Sequence, residues 1–365
     1  APIVEKKLRK NYPEGIAAHG ADALRFTMAA YATLGRNVNF DLKRAEGYRN
    51  FCTKLWNATR FVLMNVEGKD CGIGETASQP MTFSFVDKWI VSELARTTKE
   101  VRQAYADYRL DIAANAIYSF VWNQYCDWYL ELVKSDMQDP GRKPESQYVL
   151  YTVLKEFLIL LHPVMPFVTA EIWQALPGHA GEDIAVMPYP EMRPGCLNPE
   201  KAAQMEFIQG VIVSVRTIRA ELGISPGHKL TLRLHPADEG QLALIEENRP
   251  LIMSLAKLED MQAGAGVHAP KASASDVVQG CQIIVPLKGN VDLNGEVARL
   301  EKEMGKIQNG LDMVSKKLAN KSFVERAKPE VVERERARAA ELSDSLEKLK
   351  KLKIRFTEAM QGEDD

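Results

Sequence analysis

The run that decides the fold is GYRNFCTKLWNATRF, at residues 47–61. Its apolar side chains recur at intervals of four and three residues and continue to residue 62, which places them on one face of a helix. That face consists of Phe51, Leu55, Ala58 and Val62. The run therefore predicts an amphipathic helix with a buried apolar face, at the start of a helical bundle.

The opposite face of the same helix carries a different chemistry. It consists of Lys54, Asn57, Arg60 and Phe61. An aromatic ring beside a cation, an amide and a guanidinium is suited to stacking on an unpaired base and reading its edge. An alternative fits the spacing equally well: Phe61 packs under a neighbouring helix while the cations are solvated.

The rest of the bundle is predicted to extend to about residue 178. Helices are expected at about 86–105, 111–134 and 146–161, and a kink at His162-Pro163 precedes another helix. The segment 111–134 is apolar nearly all round, which is typical of the centre of a bundle. Its aromatic residues are either core or a base-stacking ladder, and bulk at helical spacing favours core.

Residues 179–290 have the pattern of a small α+β unit. An amphipathic helix is predicted at about 200–222, and the alternation at 229–235 predicts a strand. A helix near 239–255 and the apolar run at 281–287 complete the unit.

Two arginines on the first helix of this unit, Arg216 and Arg219, lie one turn apart. Together they are placed to hold a phosphate. The alternatives are a solvated face or an ion pair with Glu221, and the sequence does not separate these interpretations.

From residue 291 the apolar residues follow a heptad seam. Its members are Leu293, Val297, Leu300, Met304, Ile307, Leu311, Val314 and Leu318. After an interruption, Pro329 opens a second helix, where its missing N–H costs little. That helix carries a matching seam of Val332, Ala339, Leu342, Leu346, Leu349 and Phe356. The pattern predicts an antiparallel coiled-coil hairpin with arms of about 40 Å, at about 1.5 Å per residue.

Basic residues are concentrated in this hairpin. Between residues 299 and 356 there are 16 Lys and Arg against 10 Asp and Glu. The predicted tip carries Lys316, Lys317, Lys321, Arg326 and Lys328. Such a tip favours contact with RNA backbone. The alternative is a solvated coiled coil that merely dimerises the protein.

Composition narrows the class of protein. The chain has 365 residues and a formal net charge of −2, so any binding to nucleic acid must use local patches. The longest apolar run, at 157–161, is too short to cross a bilayer. The five cysteines never form Cys-x-x-Cys and the six histidines lack metal-ligand spacing, so we expect a reduced, cytoplasmic protein without a metal site.

Several longer motifs recur in order along the chain. They are the run at 47–61, ADALRF at 21–26, DIAA at 111–114, WNQYCDWY at 122–129, HPVMPF at 162–167 and VRTIRAE at 215–221. Together with the hairpin they resemble class I aminoacyl-tRNA synthetases of the valine, isoleucine and leucine group over practically the whole chain. The valyl enzymes are the most similar, and isoleucyl enzymes are the alternative. The coiled-coil ending and the absence of zinc-ligand cysteines favour the valyl type.

The resemblance implies a mainly α fold in four parts. These are a stem-contact connector (1–46), a helical anticodon-binding domain (47–178), a small α+β linker domain (179–290) and a coiled-coil tRNA-binding arm (291–365). It also implies that Lys54, Asn57, Arg60 and Phe61 contact the anticodon. Lys43 and Arg44, just before the helix, are further candidates.

The resemblance bears on catalysis as well. The His-x-Gly-His signature and the Lys-Met-Ser-Lys-Ser loop of these enzymes are not found in this sequence. We therefore expect a non-catalytic C-terminal part of a valyl-type ligase, a monomer that binds valine tRNA. ATP and valine would bind a catalytic domain joined to it in cis, and this chain would hold no cofactor itself. A free-standing tRNA-binding factor and a coiled-coil scaffold without RNA remain the competing classes.

Overall fold

The computed structural model describes residues 5–6, 9–10, 12–33, 35, 40–69, 81–178, 181–270, 272–287, 292–320 and 329–361. The chain divides into two compact units, Ala1–Met205 and Glu206–Asp365. The four-part division expected from the sequence stays a prediction.

The first unit is built from helices, which agrees with the predicted mainly α class. In chain order its helices are α1 (Ala21–Ala30), α2 (Leu42–Val66), α3 (Phe85–Ala106), α4 (Leu110–Ser119), α5 (Leu130–Asp136), α6 (Lys143–Leu161) and α7 (Pro166–Ala175). Short 3₁₀ turns follow at Ile184–Val186 and Pro194–Cys196, and α8 (Pro199–Glu221) runs on into the second unit.

Helix α2 is held by an aromatic cluster at its buried face. The Phe51 ring lies 5.6 Å from Phe26 of α1 and 4.9 Å from Tyr118 of α4, measured between ring centres. Tyr48 lies 4.4 Å from the same Phe26 ring. Such tilted and edge-on pairs add to the free energy of burying the rings. The cluster therefore joins α1, α2 and α4 into one core.

The backbone between α4 and α5 is π-helical over Phe120–Tyr129 and continuous with both. The predicted helix at 111–134 is confirmed, but its centre winds more widely than an α-helix. Tyr125 and Tyr129 are fully buried, which confirms the core interpretation for these two rings. The spacing of apolar residues did not indicate the wider turn, because tertiary packing decides where an extra residue enters a helix.

Two side chains of the motif at 21–26 form hydrogen bonds with the backbone around the kink before α7. The Asp22 carboxylate accepts hydrogen bonds from the backbone N–H groups of Phe167 and Val168, at 3.2 and 2.6 Å. Arg25 donates to the carbonyls of Pro163 and Val164, at 2.9 and 3.1 Å. A carboxylate at the first turn of a helix satisfies free N–H groups and complements the helix dipole. The motif therefore fixes the direction in which α7 leaves the kink.

A second buried carboxylate, Asp87 in the first turn of α3, lies inside the bundle. Tyr129 donates to it at 2.8 Å and Ser146 at 3.2 Å. Burial raises the pKa of Asp87, and the hydrogen bonds from Tyr129, Ser84 and Ser146 only partly oppose this. Folding therefore makes the charged form of Asp87 less favourable than it is in the unfolded chain.

This raised pKa predicts a pH dependence of stability. The pKa of Asp87 is higher in the folded state than in the unfolded chain. Its contribution to the free energy of unfolding is therefore largest at low pH and falls as the pH rises from the unfolded-state pKa through the folded-state pKa. The Asp87→Asn variant keeps a hydrogen-bonding group but does not titrate. We therefore expect the stability of the wild type, measured relative to this variant, to fall as the pH rises above the usual pKa of a carboxyl group. Urea unfolding of both proteins between about pH 4 and 7 checks this, and parallel curves would contradict it. Tryptophan fluorescence reports on this unit alone, because all five Trp precede residue 206.

Between α8 and the C-terminal hairpin, the second unit combines a mixed four-stranded sheet with two short helices, which confirms the predicted α+β character. Its strands are β1 (Leu230–His235), β2 (Leu258–Ala263), β3 (Ser273–Val278) and β4 (Cys281–Pro286), and its helices are α9 (Glu239–Glu247) and α10 (Arg249–Ala256). The strand order is β2-β1-β4-β3. Strand β1 pairs parallel with β2 and antiparallel with β4. Leu230, Leu232 and Leu234 share the buried face, as the alternation predicted.

Two features of this unit differ from the prediction. The helix expected near 239–255 is two helices, broken at Asn248, where Pro250 removes a backbone donor. Strands β2 and β3 were not predicted. Both are edge strands with mostly exposed or half-buried residues, so their sequences lack the alternation of a buried strand.

Arg219 has a role that none of the interpretations from the sequence included. It is 7 % exposed and donates to the carbonyls of Ser225, His228, Ala256 and Lys257. Arg216 donates to the carbonyl of Leu255, at 3.0 Å from its Nη2 atom. The guanidinium of Arg219 therefore caps the end of α10 and ties down the turn before β1. It is not presented to a phosphate.

The second unit also contains the predicted hairpin, formed by α11 (Leu293–Ala319) and α12 (Pro329–Gln361). All the predicted members of both seams are buried or half-buried. Across the hairpin, Lys353 pairs with Glu301 at 2.7 Å and Lys317 with Glu335 at 3.7 Å. The early residue of α11 meets a late residue of α12, and the reverse holds near the tip. The helices therefore run antiparallel.

Candidate nucleic-acid interface

Helix α2 is positioned so that its two faces are chemically separate. Asp41 caps its N-terminus by accepting from the Lys43 backbone N–H at 2.9 Å. Its predicted apolar face is buried, with Phe51, Leu55 and Val62 fully enclosed. At its C-terminal end, the Asn65 carbonyl accepts from the Gln147 side chain of α6. The helix is therefore fixed along its length, and its outer face has a defined position.

The outer face carries the predicted contact residues. Asn57 and Arg60 are exposed, and Phe61 is half-buried. In the part of the chain that the structure describes, neither Asn57 nor Arg60 has a side-chain hydrogen bond or an ion pair with another residue. One part of the Phe61 side chain is therefore packed against the protein and another part is accessible. Packing under a neighbouring helix and stacking on a base are thus compatible at this residue. The anticodon role of these residues stays a prediction.

Lys54 is placed differently from a solvated lysine. Its ammonium lies 4.1 Å from the ring centre of Trp122 and pairs with the carboxylate of Asp127. Its side chain is 27 % exposed. Both partners belong to the π-helical segment between α4 and α5. The lysine is therefore held where α2 packs against this π-helical segment.

The two further candidates lie at the start of α2. Lys43 and Arg44 are both exposed. The Arg44 guanidinium carbon lies 5.3 Å from the ring centre of Tyr31, a cation–π arrangement. Burial raises the pKa of the neighbouring Tyr48, and Arg44 partly opposes that shift. Arg44 thus has partners within the protein, while Lys43 projects from the first turn.

Helix α2 carries two exposed apolar residues that the sequence pattern did not predict to be on its outer face. Trp56 is 43 % exposed and Met64 is 72 % exposed. Both lie outside the buried stripe, on the side that carries Asn57 and Arg60. Both residues are large and apolar but do not follow the spacing of the buried stripe, and this mismatch in the sequence could have indicated their exposure. The outer face is therefore more aromatic and apolar than the four predicted residues indicate.

The basic tip of the hairpin is only partly described. Lys316 and Lys317 lie exposed in the last turns of α11. Lys321, Arg326 and Lys328 lie outside the described residues, and their placement stays a prediction. Lys317 forms an ion pair with Glu335 of α12, a residue that is only 8 % exposed. Lys316 is therefore the freer of the two described lysines.

The described residues contain no cluster of His, Cys, Asp or Glu with the arrangement of a metal site. Among the same residues, no helix has the length and apolarity needed to span a membrane.

Two family models of known proteins match this chain, one over most of the helical bundle and part of the second unit and the other over the hairpin. A family model described as the anticodon-binding domain of tRNA ligase matches residues 87–234. A second, described as the valyl tRNA synthetase tRNA binding arm, matches residues 292–354, which is most of the hairpin. The chain carries the anticodon-binding domain and the tRNA-binding arm of the valyl-tRNA synthetase family. The family predicted from the motifs is thereby confirmed.

Individual valyl-tRNA synthetases agree with these matches. The valine–tRNA ligase of Nitratidesulfovibrio vulgaris is 49 % identical over 350 residues, which is 94 % of this chain and 39 % of that relative. Those of Acinetobacter baylyi and of Neisseria meningitidis serogroup B are each 43 % identical over 96 % of this chain. The chain spans 36 to 39 % of the length of these three relatives.

Helix α2 precedes the range matched by the anticodon-binding model, which begins at residue 87. Valyl-tRNA synthetase relatives match 94 to 96 % of this chain, a share too large to leave that helix out. The prediction that residues on α2 contact the anticodon therefore rests on the motif and on the exposed face of this helix, and the domain model does not bear on it.

Proposed function

We propose that this chain recognises tRNA at two separate places. The outer face of α2 reads the anticodon, and the coiled-coil hairpin binds the backbone at the outer corner of the tRNA. The observation that carries the proposal is the outer face of α2, where an accessible aromatic ring lies beside an amide and a guanidinium that are both unpaired within the described chain.

The chemistry of this face suits a splayed single-stranded loop. The ring of Phe61 offers a surface on which an unstacked base can lie, which is the usual way proteins hold single-stranded RNA. The Asn57 amide is able both to donate and to accept at a base edge. Arg60 and Lys54 supply cations for phosphate or base acceptors. Lys43 projects from the first turn of the same helix and adds a further cation.

The hairpin suits a different kind of contact. Its seam residues pack between the two helices, and the outer surface of the hairpin is therefore polar and rich in Lys and Arg. Lysine charges of this kind bind phosphates without reading sequence. The arm would therefore add affinity for any tRNA, while the bundle would add selectivity. Because both seams are buried within one chain, we also propose that the protein is a monomer.

At the level of the whole protein, we propose a valine–tRNA ligase that joins valine to its tRNA with ATP in the cytoplasm. Support comes from the names of the relatives and from the arm, which belongs to the valyl family. Catalysis would lie in the part of such relatives that this chain does not span. The two contacts made here would orient the acceptor end of the tRNA towards that catalytic domain.

A binding titration of this chain against valine tRNA, beside the same tRNA with a changed anticodon, tests the proposal. We expect tight binding that weakens when the anticodon changes, and Asn57→Ala should reduce that difference. Equal binding of both tRNAs would contradict the anticodon role and leave the arm as a general RNA clamp. Failure to bind either tRNA, together with self-association in sedimentation, would favour a coiled-coil scaffold instead.

The arm has its own prediction. Replacing Lys316 and Lys317 with Ala should weaken binding of all tRNAs alike, because binding a phosphate releases condensed counterions. The slope of log K against log salt should fall by about one unit for each phosphate that the variant no longer neutralises. Lys302→Ala is the matched control, since it removes an exposed charge about 20 Å further down the same helix. An unchanged slope in the double variant would exclude phosphate binding by these lysines.

A further inference from the structure

Two residues of the π-helical segment, which an α-helix would separate, lie together beside the outer face of α2. Trp122 and Asp127 are five residues apart within Phe120–Tyr129. In an α-helix each residue turns the chain by about 100°, so residues five apart point about 140° away from each other. In π-helical backbone the i→i+5 hydrogen bond brings residue i+5 one turn above residue i. The wider turn therefore sets both side chains on the same side.

Both side chains converge on one group, the ammonium of Lys54. The indole ring lies beneath it with 4.1 Å between Nζ and the ring centre, and the Asp127 carboxylate accepts from it. Trp122 is itself fixed, because it stacks on Tyr118 at 5.6 Å between ring centres and contacts Phe51 of α2 at 6.2 Å. The aromatic floor under the lysine thus belongs to the core of the bundle and does not adjust freely.

Lys54 shares its helix face with two of the proposed base contacts. Asn57 is three residues further along α2 and Phe61 is seven, which places all three on one side of the helix. An ammonium has three N–H donors, and Asp127 and the indole leave part of that capacity for RNA. A lysine fixed in this way presents its remaining donors in one direction, whereas a solvated lysine would follow any phosphate.

We infer that Trp122 and Asp127, which the π-helical segment brings to the same side, are positioning residues that fix the Lys54 ammonium for anticodon recognition. This inference rests on the proposed function of α2. Asp127 also lowers affinity for RNA in general, because its carboxylate is 45 % exposed and carries the same charge as the RNA backbone. Its net effect is therefore selectivity at some expense of affinity.

The discriminating measurement is the ratio of the dissociation constants for the changed-anticodon tRNA and for valine tRNA. Asp127→Asn should bind both tRNAs more tightly but lower this ratio about 3- to 10-fold, equivalent to about 0.7–1.4 kcal/mol at 1.4 kcal/mol per tenfold change. The charge control is Glu46→Gln, which removes an exposed carboxylate from α2 without touching Lys54. It should shift both constants equally. Asp127→Glu should recover the ratio, and Trp122→Phe should retain more of it than Trp122→Leu.

A second readout needs no RNA. The acetylation rate of Lys54, followed by mass spectrometry, should be slower than that of Lys43, an exposed lysine of the same helix. Asp127→Asn and Trp122→Leu should each accelerate labelling at Lys54 and leave Lys43 unchanged. Equal labelling of the two lysines in the wild type would overturn the inference. So would an unchanged binding ratio in Asp127→Asn.

The two readouts separate the inference from the function on which it rests. A wild type that does not distinguish the two tRNAs defeats the anticodon proposal and, with it, the recognition part of this inference. Protected Lys54 in that protein would still support positioning by Trp122 and Asp127. A wild type that does distinguish them, with no effect of Asp127→Asn, defeats the inference alone.

Discussion

Replacing Phe51 with Ala is expected to lower the free energy of unfolding of the first unit by about 3–5 kcal/mol, the usual cost of removing a buried ring. Phe51 is fully buried and contacts rings of both α1 and α4. The substitution removes apolar burial and leaves a cavity where three helices meet. The neighbouring rings belong to helices fixed elsewhere, so the site has little freedom to collapse.

Urea unfolding followed by tryptophan fluorescence measures this destabilisation in the first unit alone. Met64→Ala is the matched control on the same helix, because that side chain is 72 % exposed and its removal should change stability by about 0.5 kcal/mol or less. If Phe51→Ala does not fold, Phe51→Leu should show a smaller destabilisation in the same direction. A change in Phe51→Ala no larger than that of the Met64 variant would contradict the aromatic core described here.

Replacing Phe61 with Ala is expected to weaken binding of valine tRNA by about 1–3 kcal/mol, the range found for removing one base–aromatic stack. That corresponds to a rise in the dissociation constant of about 5- to 150-fold. The effect should fall on anticodon recognition, so the preference for the unchanged anticodon should shrink as well. The salt dependence should not change, because a phenyl ring releases no counterions.

Two variants separate stacking from packing at this position. Phe61→Tyr keeps the aromatic face and should bind nearly as well as the wild type. Phe61→Leu keeps apolar volume but offers no aromatic plane, so it should resemble Phe61→Ala in binding while losing less stability. Equal affinity of all three variants would show that Phe61 only packs under its neighbours, the alternative that its spacing left open.

Much of the fold was predictable from local patterns. The stripe of Phe51, Leu55, Ala58 and Val62 is buried as predicted, and the alternating leucines of β1 share one face. Both seams of the hairpin meet as the heptads required. These features depend on residues a few positions apart along one element, where the period of the apolar residues already defines the buried side.

Edge strands and helix breaks were harder to predict. Strands β2 and β3 carry few buried residues, so hydrogen bonding to their neighbours, rather than their own pattern, makes them strands. The break between α9 and α10 follows from Pro250, which lacks the backbone N–H that a continuous helix would need there. In both cases the local signal was weak compared with the tertiary context.

By itself, the sequence determined the helices, their buried faces, the hairpin and the family, because each is written in residues near one another or in ordered motifs. Only the tertiary structure decided which partners the charged groups found. Lys54 meets Trp122 and Asp127 from a distant segment, and Arg219 meets carbonyls at the end of α10 instead of a phosphate. A charged side chain takes whichever partners folding brings within reach of its long stem, and residues far apart along the chain supply them.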